Sequence, residues 1–71
     1  MKDEQVVKAI NSKPYRKLKG ITQEDIAKEL GVSTLTIIQW EQGKCLPNAD
    51  RLYRMAMMLG VTMEALCLWE K

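Results

Sequence analysis

Residues Thr22 to Gly43 read TQEDIAKELGVSTLTIIQWEQG. The stretch predicts two short helices joined by a tight turn. Thr22 offers a side-chain acceptor just ahead of a helical run, so it is a natural N-cap. Glu24 and Asp25 fall in the first turn, where negative charge suits the helix dipole. Ile26, Ala27 and Leu30 share one face at helical spacing. Gly31 ends this helix, because a left-handed C-terminal residue costs least as glycine. Val32 is apolar and plugs the corner. Ser33 caps the next helix, which runs from Thr34 through Gln42 with Ile37 and Trp40 on one inward face.

Two helices that cross steeply need a small residue where they touch, and Ala27 supplies it. A glycine corner with an apolar neighbour completes a helix-turn-helix, whose second helix is shaped to enter a DNA major groove. The ordered set Gln23-Glu24-Asp25-Ile26-Ala27, Leu30-Gly31-Val32-Ser33, Thr36-Ile37 and Trp40-Glu41-Gln42-Gly43-Lys44 resembles the phage Cro/C1-repressor (XRE-like) type of helix-turn-helix DNA-binding domain. The resemblance continues through Pro47, Leu52, Ala56, Leu59-Gly60-Val61 and Leu66, and covers roughly residues 15–66. It implies an all-α fold, a small five-helix bundle of the lambda-repressor-like type. An extra helical segment over residues 1–12 is expected ahead of a domain over 13–71.

A chain of 71 residues makes one small domain. Such a domain is short of core and relies on a staple, a metal, a partner subunit or tidy helix packing. With no His and with Cys45 and Cys67 far apart, no metal or cofactor is expected. Two free thiols in a reducing cytoplasm are the expectation, though spacing alone leaves a Cys45–Cys67 disulfide open. No segment reads as a secretory signal, and no run approaches the ~18 apolar residues of a spanning helix, so no membrane partner is expected.

Net charge is +2. Residues 1–20 carry Lys2, Lys8, Lys13, Arg16, Lys17 and Lys19 against Asp3 and Glu4, a balance of +4. Residues 21–50 carry Lys28 and Lys44 against Glu24, Asp25, Glu29, Glu41 and Asp50, a balance of −3. The helix-turn-helix is therefore acidic, and electrostatic attraction to DNA must come from the N-terminal segment and Lys44.

Residues 3–11, DEQVVKAIN, predict a helix with acids first. Val7 and Ile10 begin an apolar stripe that could continue through Pro14, Leu18 and Ile21. Proline disfavours helical geometry in the residue before it, so a break is expected near 11–13. Ser12 would then cap a second helix over about 13–19, ended by Gly20. Residues 1–12 either pack on the domain or form a basic arm. Arg16 admits two readings, a phosphate contact or an ion pair with Glu41, and the resemblance favours the pair. Further on, Asn48 caps a helix over 49–59, with Leu52, Met55, Ala56 and Leu59 inward and Met57 outward. Thr62 caps a last helix, MEALCLWEK, anchored by Leu66.

No enzyme is expected: there is no His-based triad, and neither thiol has an evident activating base. For DNA, the outward set of the second helix is Thr34, Leu35, Ile38 and Gln39. The resemblance gives these positions base contacts: Gln39 suits a bidentate contact to adenine, Thr34 suits either kind of base edge, and Leu35 or Ile38 suits a thymine methyl. The resemblance assigns one phosphate to Gln23 and a second to Gln42, the Gly43 amide and Lys44. Related domains tend to be polar or basic where this chain has Leu35, Ile38, Cys45 and Leu46. Leu35 and Ile38 can be inconsequential, can dock a protein, or can read thymine methyls. The resulting expectation is a sequence-specific transcriptional repressor, cytoplasmic and bacterial or phage-encoded, binding a palindromic double-stranded operator as a homodimer. Leu68 and Trp69 are the dimer candidates, with an intramolecular cap on the core as the other role for Trp69. The alternative function is a protein-binding module of the same fold, antitoxin-like or an anti-repressor partner.

Overall fold

A computed structural model describes residues 6–70, and it contains the corner expected from residues 22–43. The order is β1 (Val6–Ile10), α1 (Lys13–Lys19), α2 (Gln23–Leu30), α3 (Thr34–Gln42), α4 (Ala49–Leu59), α5 (Met63–Leu66) and β2 (Cys67–Glu70). The helix starts follow the capping chemistry. Thr22 Oγ1 accepts the Asp25 amide at 3.0 Å while the Asp25 carboxylate accepts the Thr22 amide at 2.9 Å, a capping box. Ser33 accepts the Thr36 amide, Asn48 the Arg51 amide and Thr62 the Ala65 amide. Gly31 takes a left-handed conformation at φ 72°, and the Val32 amide reaches back to the Ala27 carbonyl at 3.0 Å.

The core gathers one face from each element. Ile26, Ala27 and Leu30 of α2 meet Ile37 and Trp40 of α3, then Met55, Ala56 and Leu59 of α4 and Leu66 of α5. Val32 packs against this cluster from the corner, and Met57 faces outward. Each large apolar side chain so buried contributes about 1.5–3 kcal/mol. The packing fixes the attitude of α3 against α2, which is what the site needs.

Both ends of the chain depart from the helices expected there. Val6–Ile10 is a strand, not part of a helix over 3–11, whose first residues lie outside the described ones. The last helix stops at Leu66, and Cys67–Glu70 is a strand antiparallel to β1. Val7 lies opposite Trp69, Ala9 opposite Leu68 and Ile10 opposite Cys67, with an irregularity between Val7 and Ala9 that sets Lys8 out of the ladder. The β-branched Val6, Val7 and Ile10 suit a pleated, half-buried surface, and pairing satisfies backbone groups that each short segment alone would leave to water. The pairing also drops Ile10 into the core. The description all-α is thus approximate, since five helices share the molecule with a two-stranded sheet. The apolar stripe does not run on through Leu18, which is 84% exposed, because the chain turns between β1 and α1. Pro14 sits in the first turn of α1, as expected, but Ser12 does not cap with its side chain.

Candidate nucleic-acid interface

The site is built on α3. The Ser33 cap starts the helix at Thr34, so positions 37 and 40 turn inward and are buried. Leu35 stands 59% exposed, and Thr34, Ile38 and Gln39 are half-buried on the flanks of the same outward face. Ser33 and Thr36 share a hydrogen bond between their hydroxyls at 2.9 Å at the open end of the helix. Gln39 leans toward the exposed Cys45, whose Sγ lies 3.8 Å from its Oε1. A thiol is a weak donor, so this contact gives way readily to a stronger partner.

The other end of α3 is closed by its own backbone. The Gly43 amide donates to the Trp40 carbonyl at 3.2 Å and the Lys44 amide to the Gln39 carbonyl at 2.9 Å. Both amides are committed there, while the side chains of Gln42 and Lys44 are exposed. Gly43 also makes room for a neighbour, since a Cβ at this position would lie 2.5 Å from the Lys8 carbonyl oxygen and 3.3 Å from Ala9 Cβ. Strand β1 therefore lies directly against the end of α3.

Behind this face, three side chains converge on Glu41. Arg16 donates through Nε to Oε2 at 2.9 Å and through Nη2 to Oε1 at 3.2 Å. Gln23 Nε2 donates to Oε1 at 2.9 Å, and the hydroxyl of the fully buried Ser12 donates to Oε2. Burial pushes the Glu41 carboxyl up, but the hydrogen bonds from Arg16, Ser12 and Gln23 and the Arg16 charge outweigh it, and the carboxyl titrates below its ordinary value. The structure thus brings Arg16, Gln23 and Glu41 together, locking α1, α2 and α3 at one junction. Gln23 keeps one further N–H for another acceptor, because a side-chain amide has two.

Two features were not readable from the sequence. The Ser12–Glu41 bond spans 29 residues, and the approach of Lys8 to Gly43 depends on a strand pairing with no local signal. Leu68 and Trp69 lie on β2, partly exposed and away from the Glu41 junction in the chain. Burial, then the Glu64 charge, pushes the Cys67 thiol up, which makes it a poor nucleophile. Among the described residues no helix is long and apolar enough to cross a membrane.

Known proteins resemble this chain in sequence and in overall fold. A family model described as helix-turn-helix matches residues 13–66. An uncharacterised HTH-type transcriptional regulator of Methanocaldococcus jannaschii is 45% identical over 58 residues, 82% of this chain and 88% of that protein. The uncharacterised HTH-type transcriptional regulator YazB of Bacillus subtilis is 40% identical over 57 residues, 80% of this chain and 83% of that protein. The crystal structure of a proposed DNA-binding protein from Bacteroides fragilis superposes with a TM-score of 0.76 at 26% identity, covering 92% of this chain and all of that one.

Proposed function

The chain belongs to the Cro/C1-type helix-turn-helix family of DNA-binding transcriptional regulators, and from that membership we propose that it is a repressor reading the major groove with α3. The observation that supports this best is the division of α3 into two faces. Ile37 and Trp40 are buried, and Leu35, with Thr34, Ile38 and Gln39 beside it, is turned from the core. In the proposed complex Gln39 exchanges its contact with Cys45 for adenine, Thr34 reaches a base edge, and Leu35 and Ile38 meet thymine methyls. Gln23 holds one phosphate with its remaining N–H at the start of α2. Gln42 and Lys44 hold the next with their side chains, Gly43 giving the tight turn that presents them. One such domain covers few base pairs, so two copies on half-sites a helical turn apart, joined through Leu68 and Trp69, make a specific regulator on a palindromic operator in the cytoplasm.

The exposed Leu35 also suits a protein partner, and salt dependence separates the readings. Purified protein would be used to select fragments from random double-stranded DNA, and binding to the selected site measured across a salt series. A groove reader enriches a defined site, and its log-affinity falls with log salt at a slope of about −3 to −6 for a dimer, shallow because the motif is acidic. Failure to enrich any site, with no salt-dependent binding, favours the protein-binding module.

A further inference from the structure

We infer that Lys8 is a phosphate-contacting residue, so that strand β1, outside the family match over 13–66, widens the backbone-binding surface at the end of α3. The inference rests on the DNA-binding reading above and adds a contact that the helix-turn-helix itself does not supply.

Three observations converge on it. First, β1 lies so close to the end of α3 that only glycine fits at position 43, with the Lys8 carbonyl the nearest atom to where a Cβ would be. Lys8 is thus carried to the same corner as Gln42 and Lys44. Second, the irregularity between Val7 and Ala9 takes Lys8 out of the strand register. A residue left out of the ladder is re-aimed away from its neighbours' pairing, and the Lys8 side chain is exposed. Third, the corner brings the backbone of Lys8 beside Gly43, the neighbour of Lys44, and the side chains of both lysines are exposed next to a segment that is otherwise acidic. Among the described residues the ion pair is Arg16–Glu41, which involves neither lysine. A segment with a balance of −3 over residues 21–50 repels a polyanion unless cations flank it. Lys8 is placed to be such a cation, and its four-carbon stem lets the ammonium follow a phosphate without a fixed geometry.

The test must separate this role from a second one for the same charge. The last turn of α3 holds no basic residue, so Lys8 would also complement the negative end of that helix. The two roles differ in what they change. We would measure Lys8→Gln, Lys8→Arg and the wild type on the selected operator and on unrelated duplexes across a salt series, with Tm for each protein. The expected result is a Lys8→Gln slope shallower by about 0.9 per bound chain, affinity lowered equally on every sequence, an unchanged Tm, and wild-type behaviour for Lys8→Arg. A Lys8→Gln protein with the wild-type slope overturns the inference whether or not its Tm falls, while the wild type's own salt-dependent binding keeps the broader reading in place. Absence of DNA binding by the wild type would remove both.

Discussion

Arg16 and Glu41 face each other as a two-point fork, Nε on Oε2 at 2.9 Å and Nη2 on Oε1 at 3.2 Å, with side chains only 11% and 12% exposed. Ser12 and Gln23 complete the coordination of the same carboxylate. Replacing Glu41 by Gln puts an amide N–H₂ against the guanidinium and strands a nearly buried charge. The expected cost is about 3 kcal/mol, the lower end for breaking a buried pair. Denaturant unfolding would show it as a lower midpoint at constant slope. A change under about 0.5 kcal/mol would mean that the junction is solvated and does not hold the three helices.

The same carboxylate sets the response to acid. Its folded-state pKa lies below the ordinary 4.5, the net result of burial raising it and of the Arg16, Ser12 and Gln23 contacts lowering it by more. Asp25 is likewise held below its ordinary 3.8, chiefly by the Thr22 backbone amide. A depressed folded pKa contributes stability above the unfolded value, and that contribution is lost as pH falls through the folded one. Thermal melts should therefore be flat from neutral pH to about 5 and decline below about 4.5, with a weaker decline in Glu41→Gln. A Tm that rises on acidification would contradict the assignment.

Gly43 and Gly31 offer a matched comparison. Both have left-handed backbone, at φ 80° and φ 72°, but nothing lies within 4 Å of a Cβ at Gly31. Gly31→Ala should cost only the conformational penalty, about 1–2 kcal/mol. Gly43→Ala adds a clash with the backbone of β1 and should cost about 2–4 kcal/mol in all. Equal losses in the two variants would show that β1 does not sit against α3.

Trp69 lies opposite Val7 on the sheet and is 43% exposed, next to the exposed Leu68. If this patch joins two copies, Trp69→Ala removes the largest apolar surface in the contact. Truncation of such an anchor costs more than about 1.4 kcal/mol, a tenfold weaker dimer. Sedimentation equilibrium should find monomer at concentrations where the wild type is dimeric. Identical sedimentation at all concentrations would leave Trp69 as a cap on its own core.

The middle of the chain was legible because its signals are local. Thr22, Ser33, Asn48 and Thr62 each bond an amide three residues on, and Gly20, Gly31, Gly43 and Gly60 each close a helix at positive φ. Ile37 and Trp40 were placed inward by spacing alone, and the Arg16–Glu41 pair by resemblance. The ends were not legible because their structure depends on each other. Val6–Ile10 reads as helix after three acidic or amide residues, and Cys67–Glu70 follows a good cap with no glycine to stop it. Only pairing between the two ends of the chain makes both extended. Ser12 shows the same limit in one side chain: a favourable capping residue whose hydroxyl is taken by a carboxylate from α3. At the site, the half-burial of Ile38 and Gln39 and the commitment of the Gly43 amide follow from tertiary packing and helix closure, which spacing does not report.

The measurement that bears most directly on α3 as the reading element is the affinity of Gln39→Ala across single base-pair variants of the selected operator, beside the wild type. The expected result is a loss of about 1–3 kcal/mol of discrimination at one position in each half-site, with other positions, the salt slope and the Tm unchanged. A Gln39→Ala protein that ranks every operator variant as the wild type does would contradict the placement of that side chain against a base.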